Sequence, residues 1–254
     1  MALIKRKTEG VQPLRLSWSS IQSFLSCQRK YDLTYRENIQ RIPSAASRLM
    51  MLGSTVHAGI EAALQAEFET DYHQNAGRVD WLVTAAVTRA REYVEQSTIP
   101  NKKIKDYSNG GVLTLDQDYY NMMREVSQLA VSLLRFHIPL IGLGDRYLVP
   151  TVRDVVSGLP PEYRHEEGQE PIPAIEWHFE FPVDENTILS GYIDTILWDT
   201  VEQEYVIVDW KTRGSFPDDR MALIDGQLHL YAAVVNSMAE HINGVSPINR
   251  VMMY

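Results

Sequence analysis

The sequence predicts an α/β protein, a mixed β-sheet core flanked by helices, with a helical elaboration on its N-terminal side. Three observations predict it. Apolar residues recur at helical spacing through most of the first 137 residues. The period then changes to three runs rich in β-branched and aromatic residues, broken by short polar turns. A last helical pattern and a short apolar run follow, which completes an order of helices, β-meander, helix and strand.

The first helix is expected over residues 17–36, with Ser17 or Ser19 as N-cap and Trp18, Ile21, Phe24 and Leu25 at helical spacing. A second, over 47–70, carries the stripe Leu52, Val56, Ile60, Ala63 and Leu64. A third spans 78–97, and a fourth spans 116–137 and ends before Pro139. "NKKIKDYSNGG" between them reads as a polar loop. From 139 to 173 proline, glycine and charge predict an irregular connection. Strands are expected at 174–183, 187–199 and 204–212, a helix at about 219–240, and a final strand in "INRVMMY". The organisation expected is a basic arm (1–16), a mainly helical region (17–145), an irregular connection (146–173) and an α/β core (174–254) that forms one compact unit with the helical region.

At 254 residues the chain can bury a sizeable core, and its 44% hydrophobic content is that of an ordinary globular protein. No apolar run approaches the roughly 18 residues of a membrane span. The N-terminal basic cluster has no apolar segment after it, unlike a secretory signal. Cys27 is the single cysteine, which excludes an internal disulfide and points to a reducing, cytoplasmic setting. The net charge of −9 is unevenly spread: residues 1–48 hold nine Lys/Arg and three acids, and the remainder 15 Lys/Arg and 30 acids. A basic end beside an acidic body fits a protein that grips a phosphate backbone and gathers divalent cations elsewhere, although ordinary surface variation also allows it.

The chemistry concentrates in "VIVDWKT", residues 206–212. Alternation along a strand puts Asp209 and Lys211 on one face. If the strands 187–199 and 204–212 fold about the turn Thr200–Gln203, Asp194 faces Asp209 and Tyr192 faces Lys211. Two carboxylates with Cβ atoms roughly 5 Å apart must share a proton or bind a cation. Mg²⁺ suits one or two carboxylates with water and a phosphate. A buried Asp–Lys pair bracing the hairpin is the other reading that the spacing allows.

"GYID", then a strand, then "DWK" resembles the core of the PD-(D/E)XK nucleases, in particular the RecB-like branch with its CRISPR-associated exonucleases. "SWSSIQSFLSCQRKYDLTY" is similar to that branch's N-terminal signature, "GSTVHAGIEA" to its Gly-x-x-x-His helix and "QLHLYA" to its Gln-x-x-x-Tyr helix. The resemblance implies a restriction-endonuclease-like fold and a metal-dependent DNA nuclease, an exonuclease more than a site-specific endonuclease. It implies Mg²⁺ or Mn²⁺ held by His57, Asp194, Asp209 and the Trp210 backbone carbonyl, with Lys211 as the catalytic lysine. Gln227 and Tyr231 would lie beside the metal and contact DNA or brace Lys211, and the basic segment with Arg29 and Lys30 would track the backbone. Cys27 stands at the first of four positions that hold an iron–sulfur cluster in some members; with no other cysteine in the chain, no such cluster is expected. The chain has no Walker loop, so on duplex ends it is expected to act alone, as a homo-oligomer, or with a separate helicase or recombination partner. A catalytically silent DNA-binding or assembly subunit is the alternative from another class, and a hydrolase of small phosphate esters a third.

Overall fold

The computed structural model describes residues 13–37, 48–69, 78–97, 104–106, 111–113, 117–161, 171–211 and 225–253. The chain divides into two compact units, one of residues 1–40 with 178–192 and a larger one of 41–177 with 193–254. Six strands form a mixed sheet, consistent with a restriction-endonuclease-like fold.

In the smaller unit, β1 (Leu14–Leu16) runs parallel to the start of β6 (Thr187–Asp199), with Leu14 opposite Thr187. Helix α1 (Trp18–Ser26) begins at a capping box, in which Ser17 and Ser20 satisfy each other's backbone N–H groups. The helix expected to run to residue 36 breaks at Cys27, whose backbone is extended (φ −163°). Helix α2 (Gln28–Tyr31) and a π-helical turn (Asp32–Arg36) follow. Across the break Tyr31 packs edge-on against Phe24, with ring centroids 5.5 Å apart, and stacks on Tyr35 at 5.4 Å. Helical periodicity alone carries no signal for that change of direction.

In the larger unit, three long helices form one core: α3 (Arg48–Glu69), α4 (Arg78–Ser97) and α5 (Gln117–Ile141). The second and third helices stand close to their expected spans, 47–70 and 78–97. The fourth does not end before Pro139, which lies inside α5. An internal proline costs about 3 kcal/mol. Ile138 and Ile141, both almost fully buried, offset it at roughly 1.5–3 kcal/mol each. Gly59 brings the three helices together: a Cβ there would lie 3.0 Å from the Ala86 carbonyl oxygen and 2.4 Å from Leu134 Cδ1. Glu67 and Arg78 form a buried ion pair at 2.8 Å, and Glu67 also accepts from the Val149 N–H at 3.0 Å.

Part of the expected polar loop pairs instead as a two-stranded ladder, β2 (Ile104–Asp106) with β3 (Gly111–Leu113). The expected irregular connection also holds short elements, β4 (Tyr147–Leu148) and α6 (Val152–Ser157), the latter capped by Thr151. Elements this short show no period, yet Tyr147, Leu148, Val149 and Val155 are all buried.

Strands β5 (Ile175–Asp184), β6 and β7 (Glu204–Asp209) stand close to expectation, except that β7 stops at Asp209 rather than residue 212. The β6–β7 ladder is antiparallel and pairs Thr195 with Val208 through to Asp199 with Glu204, the register anticipated from the turn. Gln203 closes that turn with φ +54°. Asp199, fully buried, accepts from Arg146 (2.9 Å), Arg250 (2.5 Å) and the backbone N–H groups of Val201 and Glu202. These bonds hold its carboxyl well below the usual range against the opposing effect of burial. Strand β8 (Ile248–Met253) runs parallel to β7, and α7 (Gly226–Asn243) packs on both. Asn236 clasps β8 by exchanging two hydrogen bonds with the Ile248 backbone, at 2.8 and 2.9 Å. Val206 and Val208 join the helical core, and alternation turns Tyr205, Ile207 and Asp209 to the other face. With both faces covered, β7 reads as an unbroken apolar run.

The close approach at Gly59 makes a specific demand. Gly59→Ala is expected to lower stability by about 1–3 kcal/mol, because the neighbouring carbonyl belongs to a helix backbone and must move. Urea unfolding followed by circular dichroism measures it; an unchanged midpoint would show that α3 and α4 separate at little cost.

Candidate active site

The β6–β7 ladder ends one step before the pair of acids, and the same register carried on places Asp194 opposite Asp209. Asp194 is half-buried and Asp209 buried. Beyond Asp209 the chain leaves the strand, so Lys211 is outside the ladder rather than opposite Tyr192. Its side chain nevertheless turns back to Asp209: Nζ donates to Oδ1 at 2.8 Å. Nζ also lies 2.7 Å from Oδ2, at an angle too poor for a hydrogen bond. The buried Oδ2 therefore accepts no hydrogen bond. Burial pushes the Asp209 carboxyl up; the hydrogen bond and charge of Lys211 pull it down, and Asp194 and Asp225 push it up again. The net direction is upward, so the ammonium alone does not compensate this carboxylate.

Trp210 organises the neighbouring groups. Its indole N–H donates to Thr195 Oγ1 at 3.0 Å, which seats the ring in the core. Its backbone N–H donates to Asp194 Oδ2 at 3.1 Å. Its carbonyl oxygen meets His57 Nε2 at 2.5 Å. One residue of backbone thus holds a carboxylate through its amide and an imidazole through its carbonyl. His57 comes from the middle of α3, so the site lies where the helical core meets the end of β7.

On the other face, the first turn of α7 is capped by Asp225, which accepts from the N–H groups of Gln227 (2.8 Å) and Leu228 (3.3 Å). Gln227 Nε2 donates to the Tyr231 hydroxyl at 3.1 Å. Burial raises the Tyr231 phenol, the bond from Gln227 lowers it, and Asp194, Asp209 and Asp225 raise it further. The tyrosine therefore feels the field of both strand acids.

Two further acids, Glu61 and Glu176, stand close to this group. Glu61 follows His57 by one helical turn, and both line a cleft of about 560 Å³ with Glu176 at the start of β5. Glu176 has φ +45°, a left-handed conformation that a glutamate adopts only at a cost of order 1–3 kcal/mol. Although Glu176 touches solvent, the cleft walls desolvate it; with Asp194 and Glu61 nearby, its carboxyl is pushed up to about 7. Its place on the first core strand is the one signal the sequence offers; the strained backbone leaves no trace there.

Arg29 and Lys30 lie exposed on α2 in the smaller unit, where Arg29 pairs with Glu37 at 3.0 Å. Among the described residues, no three His, Cys, Asp or Glu side chains stand together as a metal-binding group. A divalent ion here would need the Trp210 carbonyl and water as well as side chains. The donor chemistry fits such an ion: a buried carboxylate oxygen without a hydrogen bond, a second carboxylate, and an imidazole nitrogen and a carbonyl whose mutual hydrogen bond an ion would replace.

A model of the PD-(D/E)XK nuclease superfamily matches residues 15–253. The chain belongs to that superfamily. Membership implies metal-dependent phosphodiester hydrolysis. Nucleases of the PD-(D/E)XK superfamily typically use divalent ions such as Mg²⁺ or Mn²⁺. Among curated proteins, none matches the chain.

Two outcomes follow from the electrostatics. Glu176 binds its proton more tightly folded than unfolded, so its contribution to stability is complete below about pH 4.3 and is lost as the pH rises through about 7. Glu176→Gln is therefore expected to raise Tm relative to the parent at pH 8 and not at pH 4; a pH-independent difference would mean that Glu176 is solvated like a free side chain. Adding Mn²⁺ at about a hundredfold excess over Kd is expected to stabilise the protein by about 2.7 kcal/mol. Asp209→Asn should abolish that gain, and a thermal scan with and without the metal reads both.

Proposed function

We propose that the protein is a metal-dependent deoxyribonuclease of the RecB-like branch, an exonuclease acting in DNA recombination, repair or phage DNA processing. The observation that carries this reading is the arrangement at the end of β7. The buried Asp209 oxygen without a hydrogen bond, the Lys211 ammonium, and Asp194 and His57 joined through Trp210 meet there. A structural Asp–Lys brace explains the first pair but gives no reason for the Trp210 peptide to gather an imidazole and a second acid beside it.

His57, Asp194, Asp209 and the Trp210 carbonyl would hold Mg²⁺ or Mn²⁺. When bound, the ion lowers the pKa of its water and neutralises charge on the phosphate. The chain's own groups supply the rest. Lys211, the catalytic lysine in this reading, holds the attacking water or the phosphate oxygen that gains charge, in a partly buried setting where one ammonium counts for more than in water. The water oxygen forms the new bond to phosphorus while the leaving oxygen departs with the electron pair of the broken one. Gln227 and Tyr231 brace the strand beside the acids, with the tyrosine hydroxyl fixed by the glutamine amide. Arg29 and Lys30 are assigned to sequence-independent phosphate contacts. A helicase or recombination partner, or a second copy of the chain, would assist on duplex ends.

Cleavage of end-labelled linear and circular DNA, single- and double-stranded, with Mg²⁺, Mn²⁺ or EDTA tests the reading. Metal-dependent loss of linear DNA that spares circles is expected, with Lys211→Ala slower by about 100-fold or more. Tight DNA binding with no turnover under any metal would sink it in favour of a catalytically silent binding subunit.

A further inference from the structure

The cleft beside His57 has a graded lining whose order follows from how α3 and α4 pair. Glu67 of α3 meets Arg78 of α4, and Gly59 lies against the Ala86 carbonyl. Both contacts give the same antiparallel register, in which each step toward the end of α4 is a step toward the start of α3. Arg89 then falls level with Val56, beside His57, and Tyr93 falls level with Leu52, beside the lining residues Leu49, Met50 and Gly53. The wall from Leu49 to Glu61 is about 18 Å of helix. One end is apolar and aromatic, with Leu49 and Met50 exposed. The middle holds a guanidinium and the imidazole, and the far end two carboxylates, Glu61 and Glu176.

We propose that this cleft is the subsite for one unpaired nucleotide adjoining the scissile phosphate, its base on Tyr93 between Leu49 and Met50 and its phosphate on Arg89. The proposal rests on the nuclease reading for the position of the scissile bond, and on the cleft itself for the nucleotide. The volume of about 560 Å³ lies in the range of sites that enclose a small molecule. A groove between two packed helices takes one flat ring rather than a base pair. The apolar end suits a base, whose π-face stacks on an aromatic ring whatever its identity. Among the described residues, Arg89 pairs with Glu92 at 3.8 Å on the same helix, and an exposed pair of that kind is worth about 0–1 kcal/mol. A phosphate accepting two N–H bonds from the guanidinium displaces it readily. Glu61 at the far end, joined by Glu176 when ionised, repels phosphate and so fixes the direction in which the strand lies. The substrate class that follows is a single strand or a frayed end, cut without preference for sequence.

The test uses end-labelled single-stranded oligonucleotides and the same strands with one abasic residue at the position next to the cleaved bond. Cleavage is followed with Mg²⁺, and binding by fluorescence anisotropy with Ca²⁺ in its place. Tyr93→Ala is expected to raise KM and the dissociation constant Kd roughly tenfold, with a smaller change in kcat, and Tyr93→Phe to stay near the parent. The abasic residue should weaken binding to the parent by a similar factor and add little in Tyr93→Ala. Arg89→Ala should weaken binding of normal and abasic strands alike and lower its salt dependence. If the parent cleaves DNA through Lys211 while neither the abasic residue nor Tyr93→Ala alters KM, the subsite is refuted and the nuclease stands. If the parent cleaves nothing but shows the abasic and Tyr93 effects on binding, the subsite stands and the nuclease reading falls. An absence of both binding and cleavage overturns both.

Discussion

The antiparallel register between β6 and β7 is the constraint on which the site depends. Side chains alternate along a strand, so a slip of one residue would exchange Asp209 and Val208 between faces. Asp209 would enter the helical core and a valine would take its place among the acids. The register is held at the opposite end of the hairpin, where Asp199 gathers Arg146, Arg250 and the backbone of the turn. That cluster touches no candidate catalytic group. Its effect on the site is geometric: it keeps Asp194 opposite Asp209 from a distance of several residues.

Charge at the end of β7 is balanced only in part. Lys211 satisfies one oxygen of Asp209, while Asp194 and Asp225 add to a negative field that reaches Tyr231. Desolvation in the neighbouring cleft, with Asp194 and Glu61 adding to it, pushes Glu176 up to about 7. Two acids in one region, Asp209 and Glu176, hold on to protons there, which is the surrounding that a hard divalent cation relieves. Basic residues such as Arg29 and Lys30 lie on other elements, so the molecule's overall acidity and its expected affinity for a polyanion do not conflict.

Much of this architecture was legible because it is periodic or local. Helices α3 and α4 announce themselves by apolar stripes, and a four-residue turn between two strand-like runs is enough to set the β6–β7 register. Asp209 and Lys211 were readable as a pair for the same reason, being two residues apart. What escaped has a tertiary origin. Helix α5 passes through Pro139 because the core buries Ile138 just before it and Ile141 after it. The break at Cys27 comes with an aromatic contact seven residues apart. The left-handed backbone of Glu176 and the alignment of Arg89 with His57 are set by packing between elements distant in sequence. The role of Trp210 was half legible: its carbonyl was expected to matter, but the bond from its amide to Asp194 was not.

The two bonds made by the Trp210 backbone bear on how the site comes apart. Its amide holds Asp194 and its carbonyl holds His57, and the buried indole anchors both to Thr195. A rotation of this short stretch cannot release one partner and leave the other in place. The imidazole and the carboxylate are therefore linked mechanically, although they come from elements more than a hundred residues apart in sequence. Assembly and loss of the site should then be cooperative, an all-or-none event rather than a succession of partly formed states.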